Sequence, residues 1–242
     1  NRFGDTQPKA SVSGLMTELG TLLYWLGDYR GAHIHCEKAI ALKPDNNEAL
    51  IMLGKIAVAQ FRFPEARGYF DRVSPEHPGK YLGRALIAIK LRKTGEAKSE
   101  IGKASGLVSS EYPEYIVLSA YIQLLEGQTS QAVSLARGQL STCKGDPGLL
   151  LLIAEIFMTA GDYGEAITIV DQIWVTCPKN DQGLAIRAHA LYAQEQYSEA
   201  ASFAQESARI NPRNAYAKTI LMKCAVRQGD YGFAEDLGRE IV

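Results

Sequence analysis

The chain lacks any long apolar run. The longest, Leu149 to Ala154, reaches six residues before Glu155 interrupts it. A helix that crosses a bilayer needs about 20 such residues, so no membrane insertion is expected. An excess of charge is lacking too: 26 Lys and Arg stand against 27 Asp and Glu, a net charge of -1. Without a basic footprint, nucleic acid is not an expected partner, and no Lys/Arg run marks a membrane-surface segment. Cysteine is scarce and scattered, with four residues at Cys36, Cys143, Cys177 and Cys224. No C-x-x-C pair occurs, which excludes the usual zinc and redox motifs. Buried free thiols in a reducing compartment, the cytoplasm, are the expectation.

Catalytic groupings are missing in the same way. His33 and His35 lie two apart, which on a helix points them to different sides. His77 and His189 are isolated, and there is no H-E-x-x-H. The glycines between Gly95 and Lys103 have the wrong spacing for a phosphate loop, with no Ser or Thr after Lys103. Gly102 to Gly106 is not G-x-S-x-G. Glu195 and Glu199 read as solvated helix faces. No catalytic residue, no metal site and no cofactor is expected, and the chain is read as not an enzyme.

What is present is a period. Gly27-Asp28-Tyr29 precedes Ala32, and the same string returns at Gly161-Asp162-Tyr163 before Ala166 and at Gly229-Asp230-Tyr231 before Ala234. Weaker copies precede Ala66 and Ala200. The alanines Ala32, Ala66, Ala97, Ala132, Ala166, Ala200 and Ala234 are therefore separated by 34, 31, 35, 34, 34 and 34 residues. Pro44, Pro78, Pro178 and Pro212 follow their alanines by 12, and Gly20, Gly54, Ala85, Ala120, Ala154 and Ala188 precede theirs by 12. Met222 alone breaks that second series.

Each marker has a physical role. Leu15, Leu19, Leu22, Leu23 and Leu26 recur at helical spacing, and so do Ala32, Cys36, Ala39 and Ile40, predicting two amphipathic helices per period. Gly27 suits the left-handed residue that ends the first helix, and Tyr29 can wedge into the corner. Pro64 suits the opening of a second helix. The small residues mark helix crossings, where a larger side chain would force the backbones apart. The prolines stop the second helix, and Asp45-Asn46, Lys179-Asn180 and Arg213-Asn214 make the polar turn.

These residues resemble the tetratricopeptide-repeat family, whose period is 34 residues. The resemblance covers Ser13 to Val242, about seven repeats. It implies an all-α fold, a right-handed α-solenoid of tandem helix-turn-helix repeats with the first helices lining a concave groove. Residues 1–12 are expected to be a poorly ordered N-terminal segment and 13–242 a single solenoid. The third repeat departs from the pattern: it is short and reads Arg92-Lys93-Thr94-Gly95 at its corner. Arg84 and Arg187 stand where the family places apolar residues. They either snorkel to the surface or reach into the groove to hold a carboxylate.

The resemblance also implies a function, a protein–protein interaction scaffold that binds a peptide or helical segment of a partner in the groove. The alternative is a regulatory or docking arm of a larger enzyme or of a secretion or export assembly. The groove-facing residues expected are Thr17, Thr21, Tyr24 and Trp25; Ile51, Lys55 and Val58; Leu82, Leu86 and Ile89; Val117, Tyr121 and Leu124; Leu151, Glu155 and Met158; Ala185, His189 and Tyr192; and Tyr216, Lys223 and Arg227. Thr17 and Thr21 stand where some family members clamp a chaperone's C-terminal carboxylate with Lys and Asn, so that ligand is not expected. The chain opens at Asn1 and closes at Ile241-Val242 without a polar capping helix. A longer parent polypeptide, or a homo-oligomer joined through the uncapped C-terminal end, is the corresponding expectation.

Overall fold

The computed structural model describes residues 6–177 and 180–241. The described residues form fourteen α-helices and no strand. They are α1 (Thr6–Trp25), α2 (Tyr29–Leu42), α3 (Asn47–Ala59), α4 (Phe63–Arg72), α5 (Gly79–Lys90), α6 (Thr94–Ala104) and α7 (Pro113–Leu125). There follow α8 (Thr129–Gln139), α9 (Pro147–Ala160), α10 (Tyr163–Thr176), α11 (Asp181–Ala193), α12 (Tyr197–Ile210), α13 (Ala215–Gln228) and α14 (Tyr231–Ile241). These are the helix pairs of seven repeats. Residues 1–5 of the N-terminal segment lie outside the described residues, as do Pro178, Lys179 and Val242. The helices group into two compact units, Asn1–Leu135 and Ala136–Val242, divided within α8.

Every hairpin turns on one left-handed residue, and these residues keep the period of the alanines. Gly27, Gly127, Gly161 and Gly229 have φ between 80° and 83°. The remaining three corners place Phe61, Arg92 and Glu195 at φ 58°, 58° and 64°. A side chain there crowds the following carbonyl and costs about 1 kcal/mol. The third repeat therefore keeps the corner geometry although its sequence lacks the Gly-Asp-Tyr string. Replacing Phe61, Arg92 or Glu195 by Gly is expected to raise stability by up to about 1 kcal/mol each. Urea denaturation of the single variants checks this, and no gain at any of the three would contradict it.

Caps define the helix starts. The Asp of each Gly-Asp-Tyr string accepts a backbone N–H of the helix it opens: Asp28 from Gly31 (2.8 Å), Asp162 from Glu165 (3.3 Å) and Asp230 from Phe233 (3.1 Å). The Asn of each polar turn does the same for a first helix. Asn46 accepts from Ala49 (3.1 Å), Asn180 from Gly183 (2.9 Å) and Asn214 from Ala217 (3.0 Å).

In the first unit α3 packs on α1 and α2, α5 on α3 and α4, and α7 on α5 and α6. In the second, α11 packs on α9 and α10, and α13 on α11 and α12. Successive first helices thus touch directly. Successive second helices are joined through long side chains, such as Glu37 to Tyr69 (2.9 Å) and Arg67 to Glu96. Within each unit the first helices form the inner layer and the second helices the outer one.

Crossing points are matched in size. A Cβ on Gly54 would lie 2.5 Å from Phe70 Cζ, and one on Gly83 would lie 2.2 Å from Phe70 Cε1. Phe70 is fully buried between those two glycines. A Cβ on Gly20 would lie 2.4 Å from Cys36 Sγ. The same positions in later repeats read Ala85/Ile101, Ala120/Ala136, Ala154/Val170 and Ala188/Ala204. Met222 departs from the small-residue series because the sizes are exchanged there. Gly238 takes the small place, and a Cβ on it would meet Met222 Sδ at 3.7 Å.

All four cysteines are free and buried. Burial pushes the Cys36 thiol up to about 12, helped by nearby Glu37, so it resists alkylation. No helix among the described residues is long and apolar enough to cross a membrane.

Candidate functional site

Within each unit one repeat position of the first helices lies along the side-chain links between them and is termed innermost. Thr21, Lys55, Leu86, Tyr121, Glu155, His189 and Lys223 occupy the same repeat position. Lys223 is exposed, and Thr21, Lys55, Glu155 and His189 are half-buried. Leu86 and Tyr121 retain 8% and 9% exposure.

In the first unit, Lys55 Nζ on α3 reaches Glu114 Oε1 on α7 at 2.9 Å. Helix α5 packs between those two, so the bridge runs across the inner side of three consecutive first helices. Both charged groups are about four-fifths screened from water, at 20% and 15% side-chain exposure. Such a pair orients side chains more than it stabilises the fold.

In the second unit, α11 and α13 are linked by aromatic and cationic side chains. The His189 ring meets Tyr216 edge-on at 5.6 Å, with Nδ1 hydrogen-bonded to the Tyr216 hydroxyl. Arg227 Nε donates to Tyr192 Oη at 3.4 Å and stands 5.9 Å from the centre of the Tyr197 ring, and Tyr197 lies against Tyr192. Desolvation, with Lys223 close by, pushes the His189 pKa below the ordinary imidazole value, which favours a neutral ring. The desolvated hydroxyl of Tyr216, with Glu155 also near, is held well above the usual tyrosine range. This face therefore presents neutral hydrogen-bonding rings beside two cations, Lys223 and Arg227.

Sixteen of the residues expected in the groove divide by burial. Lys55, Glu155, His189 and Tyr192 are half-buried. Tyr24, Trp25 and Ile51 are half-buried, Tyr24 packing at 5.6 Å on Tyr29 and Ile51 against the core of the first unit. Val58, Leu82, Leu86, Ile89, Val117, Tyr121, Leu124, Leu151 and Met158 are buried. Leu82 and Val117, at 1% and 0%, are core side chains with no surface to offer. The series Val58, Ile89, Leu124 and Met158 lies three residues beyond the innermost position and turns inward. Four residues beyond it, Lys90 and Leu125 are half-buried and Thr159 and Arg227 exposed. In the third to fifth repeats the accessible residue is therefore one position beyond the one read from the sequence, whereas Tyr24, Tyr192 and Val226, three beyond in the first, sixth and seventh, are themselves half-buried or exposed. A first helix is apolar on every side that meets a neighbour, so hydrophobicity alone does not mark the side left open.

Thr17 is a core residue: its hydroxyl bonds Ser13 C=O at 2.9 Å and accepts from Asn46 Nδ2 at 3.0 Å. Arg84 and Arg187 each hold a carboxylate of the chain itself. Arg84 bonds Asp71 at 2.6 and 2.8 Å, and Arg187 bonds Asp171 while lying over the rings of Trp174 and Phe203. Asp71 and Asp171 are on second helices, so both arginines turn to the outer layer. Among the described residues no three His, Cys, Asp or Glu side chains are grouped to hold a metal ion.

Residues 26–89 match the profile of the tetratricopeptide repeat. Among curated proteins none matches the chain. Among the solved structures that share its fold are the following three. Yeast Tom70 is 21% identical, with a TM-score of 0.53 over 98% of this chain and 51% of its own. A tetratricopeptide repeat protein from Parabacteroides merdae is 18% identical, with a TM-score of 0.57 over 88% of this chain and 84% of its own. The human IFIT1 dimer with PPP-AAAA is 16% identical, with a TM-score of 0.64 over 93% of this chain and 58% of its own. The chain thus spans about half the length of the Tom70 structure.

Proposed function

We propose that this tetratricopeptide-repeat chain is a scaffold that holds an extended or helical segment of another protein against the inner layer of its first helices. Tetratricopeptide repeats are protein-interaction modules. The observation that carries the finer reading is the inner strip itself. In the first unit the strip keeps Lys55 part-exposed, and in the second it keeps Glu155, His189 and Lys223 accessible, with Tyr216 and Arg227 beside them. Oriented rings and charges on rigid helices suit recognition of a peptide's polar groups. The cations Lys223 and Arg227 favour acidic residues of the partner at the seventh repeat. In the first unit, the Lys55–Glu114 bridge, Tyr121 and Leu125 favour a mixed apolar and polar segment.

The near-neutral overall charge supports a protein partner over a nucleic acid. Four free, buried thiols support a reducing compartment such as the cytoplasm. In this reading the chain holds its partner and leaves its covalent bonds unchanged. A photoreactive residue in place of Lys223 is expected to trap the partner, and one in place of Ser202 on the outer face of α12 is not. Equal trapping from both would overturn the proposal.

A further inference from the structure

Helices α11 and α13 meet rung by rung on the inner side of the second unit. His189 and Tyr192 stand three apart on α11, and Lys223 and Arg227 four apart on α13, so each pair shares a face. Lys223 lies close to the His189 ring, and Arg227 Nε reaches Tyr192 Oη at 3.4 Å. Four residues rise about 6 Å along a helix, and packed helices stand about 10 Å apart. The four side chains frame a patch of that size.

The patch offers hydrogen-bond donors. A phenol is a stronger donor than a neutral ring N–H, and a bare imidazole nitrogen is the stronger acceptor. The Tyr216 hydroxyl therefore donates to His189 Nδ1, and the ring proton sits on Nε2. Lys223 adds an ammonium. Arg227 spends its Nε–H on Tyr192 and keeps its other N–H groups. Several cations elsewhere reach an acid on a neighbouring helix: Arg67 meets Glu96, Arg187 meets Asp171, and Lys218, on α13 itself, meets Glu240. Among the described residues neither Lys223 nor Arg227 forms such a pair. Arg227 feels Glu195 less than it feels Tyr192 and Tyr197, and Glu155 on α9 neighbours Tyr216. The openness of the patch belongs to its repeat positions. Glu155 and His189 hold the place of Lys223 on helices that have a further first helix beside them, and both stay half-buried. Thr159 and Ala193 hold the place of Arg227 there, and both stay exposed.

We infer that His189, Lys223 and Arg227 form a subsite for a phosphate monoester on a side chain of the held segment, so that phosphorylation of the partner tightens the hold. The inference rests on the reading that the inner layer holds such a segment. Two cations match the roughly two negative charges of a phosphate monoester near pH 7. A single carboxylate would answer only one of them. The phosphate oxygens accept from the Nε2–H, the ammonium and the guanidinium together, and a guanidinium takes phosphate through two N–H groups at once. These are the charge-assisted bonds that a phosphorylation adds when it meets a basic cluster.

Titration of the whole chain, labelled in its histidine rings and followed by NMR at low salt, is the test. The probe is a short glycine–serine peptide carrying one phosphoserine, with serine and aspartate versions as controls. The chain has four histidines, and His189→Gln identifies the signal of interest. The phosphopeptide is expected to move the His189 signal and leave those of His33, His35 and His77 in place. It is expected to bind at least about tenfold more tightly than the aspartate peptide, and the serine peptide to move nothing. Rising salt is expected to weaken the binding. The Lys223→Gln/Arg227→Gln variant, altered only at exposed positions, is expected to keep its circular dichroism and lose the response. An unmoved His189 signal, equal binding of the phosphoserine and aspartate peptides, or a response that survives the double variant overturns the inference. So does binding of inorganic phosphate without the phosphopeptide, an adventitious ion only. Tighter binding of a phosphorylated oligonucleotide than of the peptide overturns it as well. If photo-crosslinking traps a protein at Lys223 while this titration fails, the scaffold reading stands and the subsite falls. A His189 response with no protein trapped condemns the scaffold reading, and with it the assignment of the phosphate to a partner.

Discussion

Phe70→Ala is expected to lower the stability of the first unit by about 3–5 kcal/mol, the range for removing a fully buried phenylalanine ring. Phe70 sits between Gly54 on α3 and Gly83 on α5, which have no side chains to close the space it would leave. The same geometry predicts a coupling. Gly54→Ala alone gains about 1 kcal/mol of helix propensity but drives a Cβ to 2.5 Å from the ring. Overpacking of that severity costs about 1–3 kcal/mol or more, so the single change destabilises. In the Phe70→Ala background the obstacle is gone, and Gly54→Ala becomes neutral or stabilising. Chemical denaturation of the four proteins of this cycle, followed by a probe in the first unit, measures the coupling. Additive effects would show that the two positions do not share one space.

Asn214→Ala is expected to cost about 2–4 kcal/mol in the second unit, well above the loss of a helix cap alone. Its Oδ1 caps α13, while its Nδ2 donates to Asp181 Oδ2 at 3.1 Å and to Ser207 Oγ at 3.3 Å. Asp181 is fully buried, and Asn211 Nδ2 also donates to it at 2.9 Å. Truncating Asn214 therefore removes a cap and one donor from a buried carboxylate. The internal control is Asn180, whose side chain caps α11. In the preceding repeat the place of Asp181 belongs to Pro147, which has no side-chain acceptor. Asn180→Ala is expected to cost about 1 kcal/mol. Equal losses for the two variants would mean that the link to Asp181 contributes nothing. The first unit repeats the device, with Asn46 capping α3 and donating to Ser13 and Thr17 at 2.9 and 3.0 Å.

These two sites show which parts of the molecule can be read without coordinates. The hairpin period, the crossing alanines and the glycine corners are local requirements, and each leaves a residue type at a fixed interval. The corners at Phe61, Arg92 and Glu195 are less legible, because packing of the flanking helices imposes a positive φ on residues that do not prefer it. The exchange of sizes at Met222 and Gly238 is visible only once the partner 16 residues away is known. Asn46 and Asn214 read as turn residues, and their second bond, to the preceding repeat, has no signature along the chain.

The inner face was legible in part. Lys55, Glu155 and His189 recur at one repeat position, and all three are half-buried. In the third to fifth repeats the neighbouring strip was assigned to Ile89, Leu124 and Met158, which are buried, whereas Lys90, Leu125 and Thr159 are half-buried or exposed. A single residue step turns a helical position by about 100°, and both neighbours of a first helix demand apolar contacts. Glu114, which completes the bridge to Lys55, is drawn in by a pairing two repeats away.

The most direct measurement is site-specific photo-crosslinking in cells. Reactive residues would replace Lys90, Thr159 and Lys223 on the inner face, and Lys38, Ser99 and Ser202 on the outer one. If the first helices hold the partner, the same protein is trapped from the inner positions and not from the outer ones. Trapping from the outer positions alone, or equally from both sets, would contradict a scaffold that works through its inner layer.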